Sequence, residues 1–104
     1  MMGLLSRKKQ VEENSERCSR EVIIQNRNGL HARPAAMLVK VSSRFRSDIW
    51  IDKDGERVNG KSIMGLMMLA AGKGSKLQIL AEGNDAERAV QEIQDLIEGR
   101  FGEE

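Results

Sequence analysis

The chain has 104 residues, 39% apolar and 32% charged, with a formal net charge of +1. That length builds one domain around a single modest core. The balanced charge gives no electrostatic basis for holding nucleic acid, and three aromatics (Phe45, Trp50, Phe101) make no stacking platform for single strands.

Cys18 is the one cysteine, so a disulfide-stapled secreted domain is excluded and a reducing compartment fits. No apolar run reaches the roughly 18 residues that a spanning helix needs. Arg7-Lys8-Lys9 follow the apolar residues Met1 to Leu5 instead of preceding them, the reverse of a signal peptide. The expectation is a cytoplasmic protein with no stable membrane insertion and no nucleic-acid partner.

Residues 1–20 carry five basic residues (Arg7, Lys8, Lys9, Arg17, Arg20) and three acidic ones (Glu12, Glu13, Glu16), with only Val11 clearly apolar after Leu5. Such a stretch buries little surface, so it is expected to be a flexible extension with Cys18 an exposed thiol. The folded domain is expected over 21–104. Its first strand includes Val22, Ile23 and Ile24, with Val22 and Ile24 on one face. Asn26-Arg27-Asn28-Gly29 is turn chemistry. Ala35, Leu38, Val39, Ser42 and Phe45 keep helical spacing between Ala32 and Phe45. Ile49 and Ile51 alternate with Asp48, Trp50 and Asp52 as a half-buried strand, and Asp54-Gly55 turns it into a short strand around Arg57–Val58.

Ser62 to Ala70 is Met-rich and helical, and Gly72-Lys73-Gly74 ends it. Here Ile63 and Leu66 are expected in the core, with Met64 and Met67 exposed; Met68 fits either place. Leu77, Ile79 and Ala81 alternate with Gln78, Leu80 and Glu82 in another strand. Ala86, Ala89, Val90, Ile93, Leu96 and Ile97 form a helical stripe, with Asn84 and Glu87 as a capping box and Gly99 as the stop. The order β-α-β-β-α-β-α, with antiparallel hairpins and amphipathic helices, predicts an α+β sandwich with its helices on one side.

The segment Gly29-Leu30-His31-Ala32-Arg33-Pro34-Ala35-Ala36 carries the chemistry. Proline is tolerated in the first helical turn, where backbone N–H groups lack intrahelical partners. His31 therefore falls at or beside the N-cap. The free N–H groups of Ala32 and Arg33, the positive helix end and the Arg33 guanidinium then compose an anion site next to a neutral, nucleophilic imidazole. The bland alternative is a loop histidine that only starts a helix. A second pattern, Gly55 to Ser62, satisfies the P-loop form G-x-x-x-x-G-K-S, but it lacks a buried parallel strand before it and a long helix after it, so it reads as coincidence.

The string from Gly29 to Ala36 resembles the active-site signature of HPr, the histidine phosphocarrier family of the bacterial phosphoenolpyruvate-dependent sugar phosphotransferase system. The string Asn59-Gly60-Lys61-Ser62-Ile63-Met64-Gly65 resembles that family's regulatory signature. The resemblance spans roughly residues 21–99. It implies an HPr-like open-faced sandwich, with a four-stranded antiparallel sheet and three helices on one face. It implies that His31 accepts a phosphoryl group from enzyme I on Nδ1, with Arg33 assisting, and passes it to a sugar-specific transporter A component. It implies regulatory phosphorylation of Ser62 where an HPr kinase/phosphorylase is present, with Leu30, Met64 and Met67 at the docking surface. The protein would then be a monomeric, stoichiometric carrier, not an independent catalyst, with no metal or organic cofactor. The alternative is a regulatory HPr-like module that controls an enzyme or transcription factor through its phosphorylation state.

Overall fold

The computed structural model describes residues 16–103. Side chains that alternate across a strand divide into one buried row and one open row. That division is clear in β1 (Glu16–Ile23), β2 (Asp48–Lys53) and β4 (Lys76–Gly83), with the short β3 (Glu56–Asn59) completing the sheet. Val22, Ile49, Ile51, Leu77, Ile79 and Ala81 face inward and are buried, as is Ile24 just past β1, whereas Ile23 between two of them is exposed. The spatial order is β1-β4-β2-β3, and every pairing is antiparallel. Ile51 lies opposite Ile79 and Ile49 opposite Ala81, so the inward rows of the two central strands stack in register. Each large aliphatic buried this way contributes about 1.5–3 kcal/mol.

Three helices cover the inward face: α1 (Ala32–Ser42), α2 (Ile63–Met68) and α3 (Ala86–Glu98). The expected α3 stripe is buried at Ala86, Ala89, Val90, Ile93 and Ile97, while Leu96 packs only partly against the core. Leu38 and Ala35 of α1 and Leu66 of α2 close the core from the other side. The α+β sandwich in the order β-α-β-β-α-β-α is the observed architecture.

Three local expectations need correction. The first strand begins at Glu16, not near Glu21, and residues 16–20 pair with 79–83. Of their inward positions Glu16 is exposed at the strand end and Cys18 and Arg20 are half-buried; Cys18 packs against the core and Arg20 donates to the Gln94 carboxamide of α3. An arginine stem laid along a helix fills an inward position without an apolar residue, so hydropathy could not reveal this part of the strand. The remaining residues of the expected extension lie outside the described ones. Second, α1 ends at Ser42, and Phe45 is buried from the turn that follows. Third, α3 has no capping box. Asp85 is the N-cap, and its carboxylate instead accepts from the N–H of Arg46, the N–H of Ser47 and the Ser47 hydroxyl. The Ser47 hydroxyl is the main cause that lowers the Asp85 pKa from 3.8 to about 2; partial desolvation opposes it and the backbone donors add to it.

Candidate functional site

The site is assembled where the loop after β1 meets the loop before β4. Ile24 N–H donates to the Ser75 carbonyl at 2.9 Å, Gly74 N–H to the Ile24 carbonyl at 2.7 Å, and Leu30 N–H to the Ala71 carbonyl at 2.8 Å. Gly29 makes that approach possible. Its φ is +68°, and a Cβ there would lie 2.4 Å from the Ala71 carbonyl oxygen and 2.7 Å from Gly72 Cα. A glycine is thus required both by conformation and by space.

His31 follows as the N-cap of α1, with extended backbone (φ −86°, ψ −170°). Its carbonyl accepts the first helical bond from Ala35 N–H at 2.9 Å, and its ring makes no capping bond. The backbone starts the helix and leaves the imidazole, 39% exposed, available for other contacts. Ala32 and Arg33 occupy the first two helical positions, where an N–H has no intrahelical acceptor, and Pro34 at the third has no N–H at all. Two donors at the positive end of an eleven-residue helix therefore flank the histidine. Arg33 is exposed on the same turn. Asn28, Leu30, His31, Ala70, Ala71 and Gly72 line a shallow depression beside the ring.

One partner of the ring escaped sequence reasoning. After α3 the chain makes a 3-10 turn over Arg100–Gly102 and returns Glu103 to His31. The Glu103 carboxylate oxygens lie 3.2 and 3.5 Å from His31 Nε2. Arg100 and Phe101 both have positive φ, costing about 1–2 kcal/mol each, and burial of the Phe101 ring offsets that strain. The only signal in the sequence was an isolated phenylalanine beyond Gly99, where the helix stops.

Ser62 is the N-cap of α2, and its hydroxyl accepts from Gly65 N–H at 3.0 Å while remaining partly exposed. Beyond it the structure redistributes the expected patch. Leu66 is buried and Met64 and Met67 are exposed as expected, but Ile63 is 43% exposed and Met68 is also outside. A six-residue helix turns a single row, Leu66 with Leu69 after it, toward the core. Residues 63, 64, 67 and 68 form two adjacent i, i+4 rows on the other side. Leu30 does not extend this patch: it is 4% exposed, because its backbone bond to Ala71 draws it inward.

The P-loop pattern is coincidental. Gly55 turns a hairpin, Glu56–Asn59 is a strand, and the Lys61 ammonium donates to the Phe45 carbonyl at 2.8 Å, so the amine that would hold a phosphate is already engaged. Among the described residues no group of three or more His, Cys, Asp or Glu side chains could hold a metal ion. No helix among them is long and apolar enough to cross a membrane.

An open antiparallel sheet under three helices, with a solvent-reaching histidine at the start of the first helix, defines a histidine-phosphocarrier type of domain. A family model described as the PTS HPr component phosphorylation site matches residues 18–99, and the chain belongs to that HPr family. It is 49% identical over 80 residues to the phosphocarrier protein HPr of Neisseria meningitidis serogroup A, covering 77% of this chain and 90% of that one. It is 48% identical over 79 residues to the HPr-like protein Crh of Halalkalibacterium halodurans, covering 76% and 94%. The crystal structure of HPr-C-His from Thermoanaerobacter tengcongensis superposes with a TM-score of 0.81 at 48% identity, covering 84% of this chain and 98% of that one.

Proposed function

We infer that the protein is a cytoplasmic phosphoryl carrier, with His31 taking the group from phosphorylated enzyme I and handing it to a sugar-specific transporter A component. The observation that carries this is His31 at the N-cap of α1, half-exposed and followed by two N–H groups without helical acceptors. A phosphoryl group on that ring meets backbone donors and a helix dipole, with Arg33 close enough in sequence to add a guanidinium. The same family membership supports a role as a stoichiometric carrier with no cofactor of its own. The exposed Ile63, Met64, Met67 and Met68 are the surface on which partners dock, since methionines adapt to several shapes. The carrier acts as a monomer in this reading, although an HPr from T. tengcongensis has been crystallised as a dimer.

Incubation with phosphoenolpyruvate and enzyme I is expected to add one acid-labile phosphate, and His31→Ala to abolish it. Labelling of the His31→Ala chain would refute the assignment. Arg33→Ala is expected to slow transfer and leave the fold intact; unchanged kinetics would remove Arg33 from the mechanism.

Ser62 supports a second, regulatory reading, in which an HPr kinase/phosphorylase modifies its hydroxyl. Phosphate at an N-cap adds about −1.5 to −2 charge at a helix end that accepts it, next to the exposed methionines. Relatives named Crh occur alongside those named HPr, and the Bacillus subtilis Crh structure is described as that of a catabolite-repression HPr.

A further inference from the structure

We propose that the C-terminal turn is a tautomer lock, in which Glu103, aimed by Asn26, holds the proton of His31 on Nε2 and so leaves the lone pair on Nδ1. This rests on the reading of His31 as the phosphoryl acceptor and adds a positioning residue to it. The Glu103 side chain is largely buried at 16% exposure, and an ionised carboxylate has only acceptor sites. The ring nitrogen 3.2 Å from it must therefore be the donor. A neutral imidazole has one N–H, which places the free electron pair on the opposite nitrogen.

The carboxylate is itself positioned. Asn26 is fully buried, and its side-chain N–H groups donate to the Gly29 carbonyl at 2.8 Å and to Glu103 Oε1 at 3.0 Å. Both partners are pure acceptors, so the amide nitrogen, not the oxygen, faces them. Buried Phe101 fixes the turn that delivers Glu103 from the end of α3. Two chain segments, the loop after β1 and the C-terminal turn, thus meet at the Nε2 edge of the ring.

The electron count favours this arrangement. When Nδ1 attacks the phosphorus of a phosphorylated protein nitrogen, an Nδ1–P bond forms and the donor N–P bond breaks, with its electron pair returning to the donor. The His31 ring then carries both substituents and a positive charge, which the adjacent carboxylate balances. On transfer out, the Nδ1–P pair returns to Nδ1 and the ring is neutral again. The Nε2 proton stays in place throughout.

His31 is the single histidine of the chain, so its ring nitrogens give unambiguous nitrogen-15 signals. In the full-length protein at alkaline pH the expected spectrum shows Nε2 protonated and Nδ1 with a free pair. Glu103→Ala is expected to shift both signals toward the exchange-averaged values of a free imidazole and to slow phosphorylation by enzyme I several-fold. Glu103→Asp is expected to restore part of both effects. A wild-type spectrum with the proton on Nδ1, or signals that Glu103→Ala leaves unmoved, would overturn the lock. Loss of wild-type labelling with a normal tautomer spectrum would instead overturn the carrier reading alone.

Discussion

Replacing Gly29 by alanine separates two demands that the structure makes of one residue. A Cβ at φ +68° carries a left-handed strain of about 1–2 kcal/mol. It would also sit 2.4 Å from the Ala71 carbonyl oxygen, a backbone atom that cannot swing aside, so the two loops must part. Parting them lengthens the Leu30-to-Ala71 hydrogen bond, worth about 1 kcal/mol, and repacking adds about 1–3 kcal/mol. The total loss is about 3–6 kcal/mol, read as a shift of the urea midpoint at constant slope. Two neighbouring glycines provide the controls. Gly74 has φ +90° but open space around its Cβ position, so Gly74→Ala should show the strain alone, about 1–2 kcal/mol. Gly72 has open space and no left-handed backbone, so Gly72→Ala should fall within about 0.5 kcal/mol of wild type or slightly above it. If Gly29→Ala costs no more than Gly74→Ala, the close approach of the loops does not govern the site.

Asp85→Asn tests the acid response. The folded-state pKa of about 2 lies below the ordinary 3.8, so the carboxylate stabilises the fold above 3.8 and that contribution is lost as pH falls toward 2. The stability gap between wild type and Asp85→Asn, measured in urea at neutral pH and again near pH 2.5, should therefore narrow; a constant gap would exclude an ionic origin. Ser62→Ala removes the only side-chain cap of α2 and should cost about 1 kcal/mol, with Ser62→Asp recovering most of it; equal loss in both would deny the capping role. Leu66→Ala should cost about 2–5 kcal/mol. Met64→Ala should stay within about 0.5 kcal/mol yet weaken partner binding by titration calorimetry, and a large stability loss there would place Met64 in the core.

The architecture was legible because both periodicities were written in apolar residues. Ile49 and Ile51, and Leu77, Ile79 and Ala81, show the sheet face, and the α3 stripe shows the helix that covers it. His31 was legible because Pro34 limits where a helix can begin. What stayed hidden depends on contacts between distant residues. The inward role of Arg20 requires Gln94, seventy-four positions away, and Glu103 requires Asn26 and the buried Phe101. Ile63 was misplaced for a different reason: apolar character alone does not distinguish an exposed position on a short helix from a core one.

The place of β4 in the sheet has a consequence in time. The strand that lies between β1 and β2 is the last of the four along the chain, and Glu16 finds its partner only at Gly83. During synthesis β2 and β3 can zip as a hairpin from nearby residues, but β1 must wait, unpaired, until almost the whole domain has left the ribosome. Closing so wide a loop is entropically slow. The carrier's birth is thus governed by its latest strand, and an arrested chain lacking β4 would expose the edges of both β1 and the hairpin.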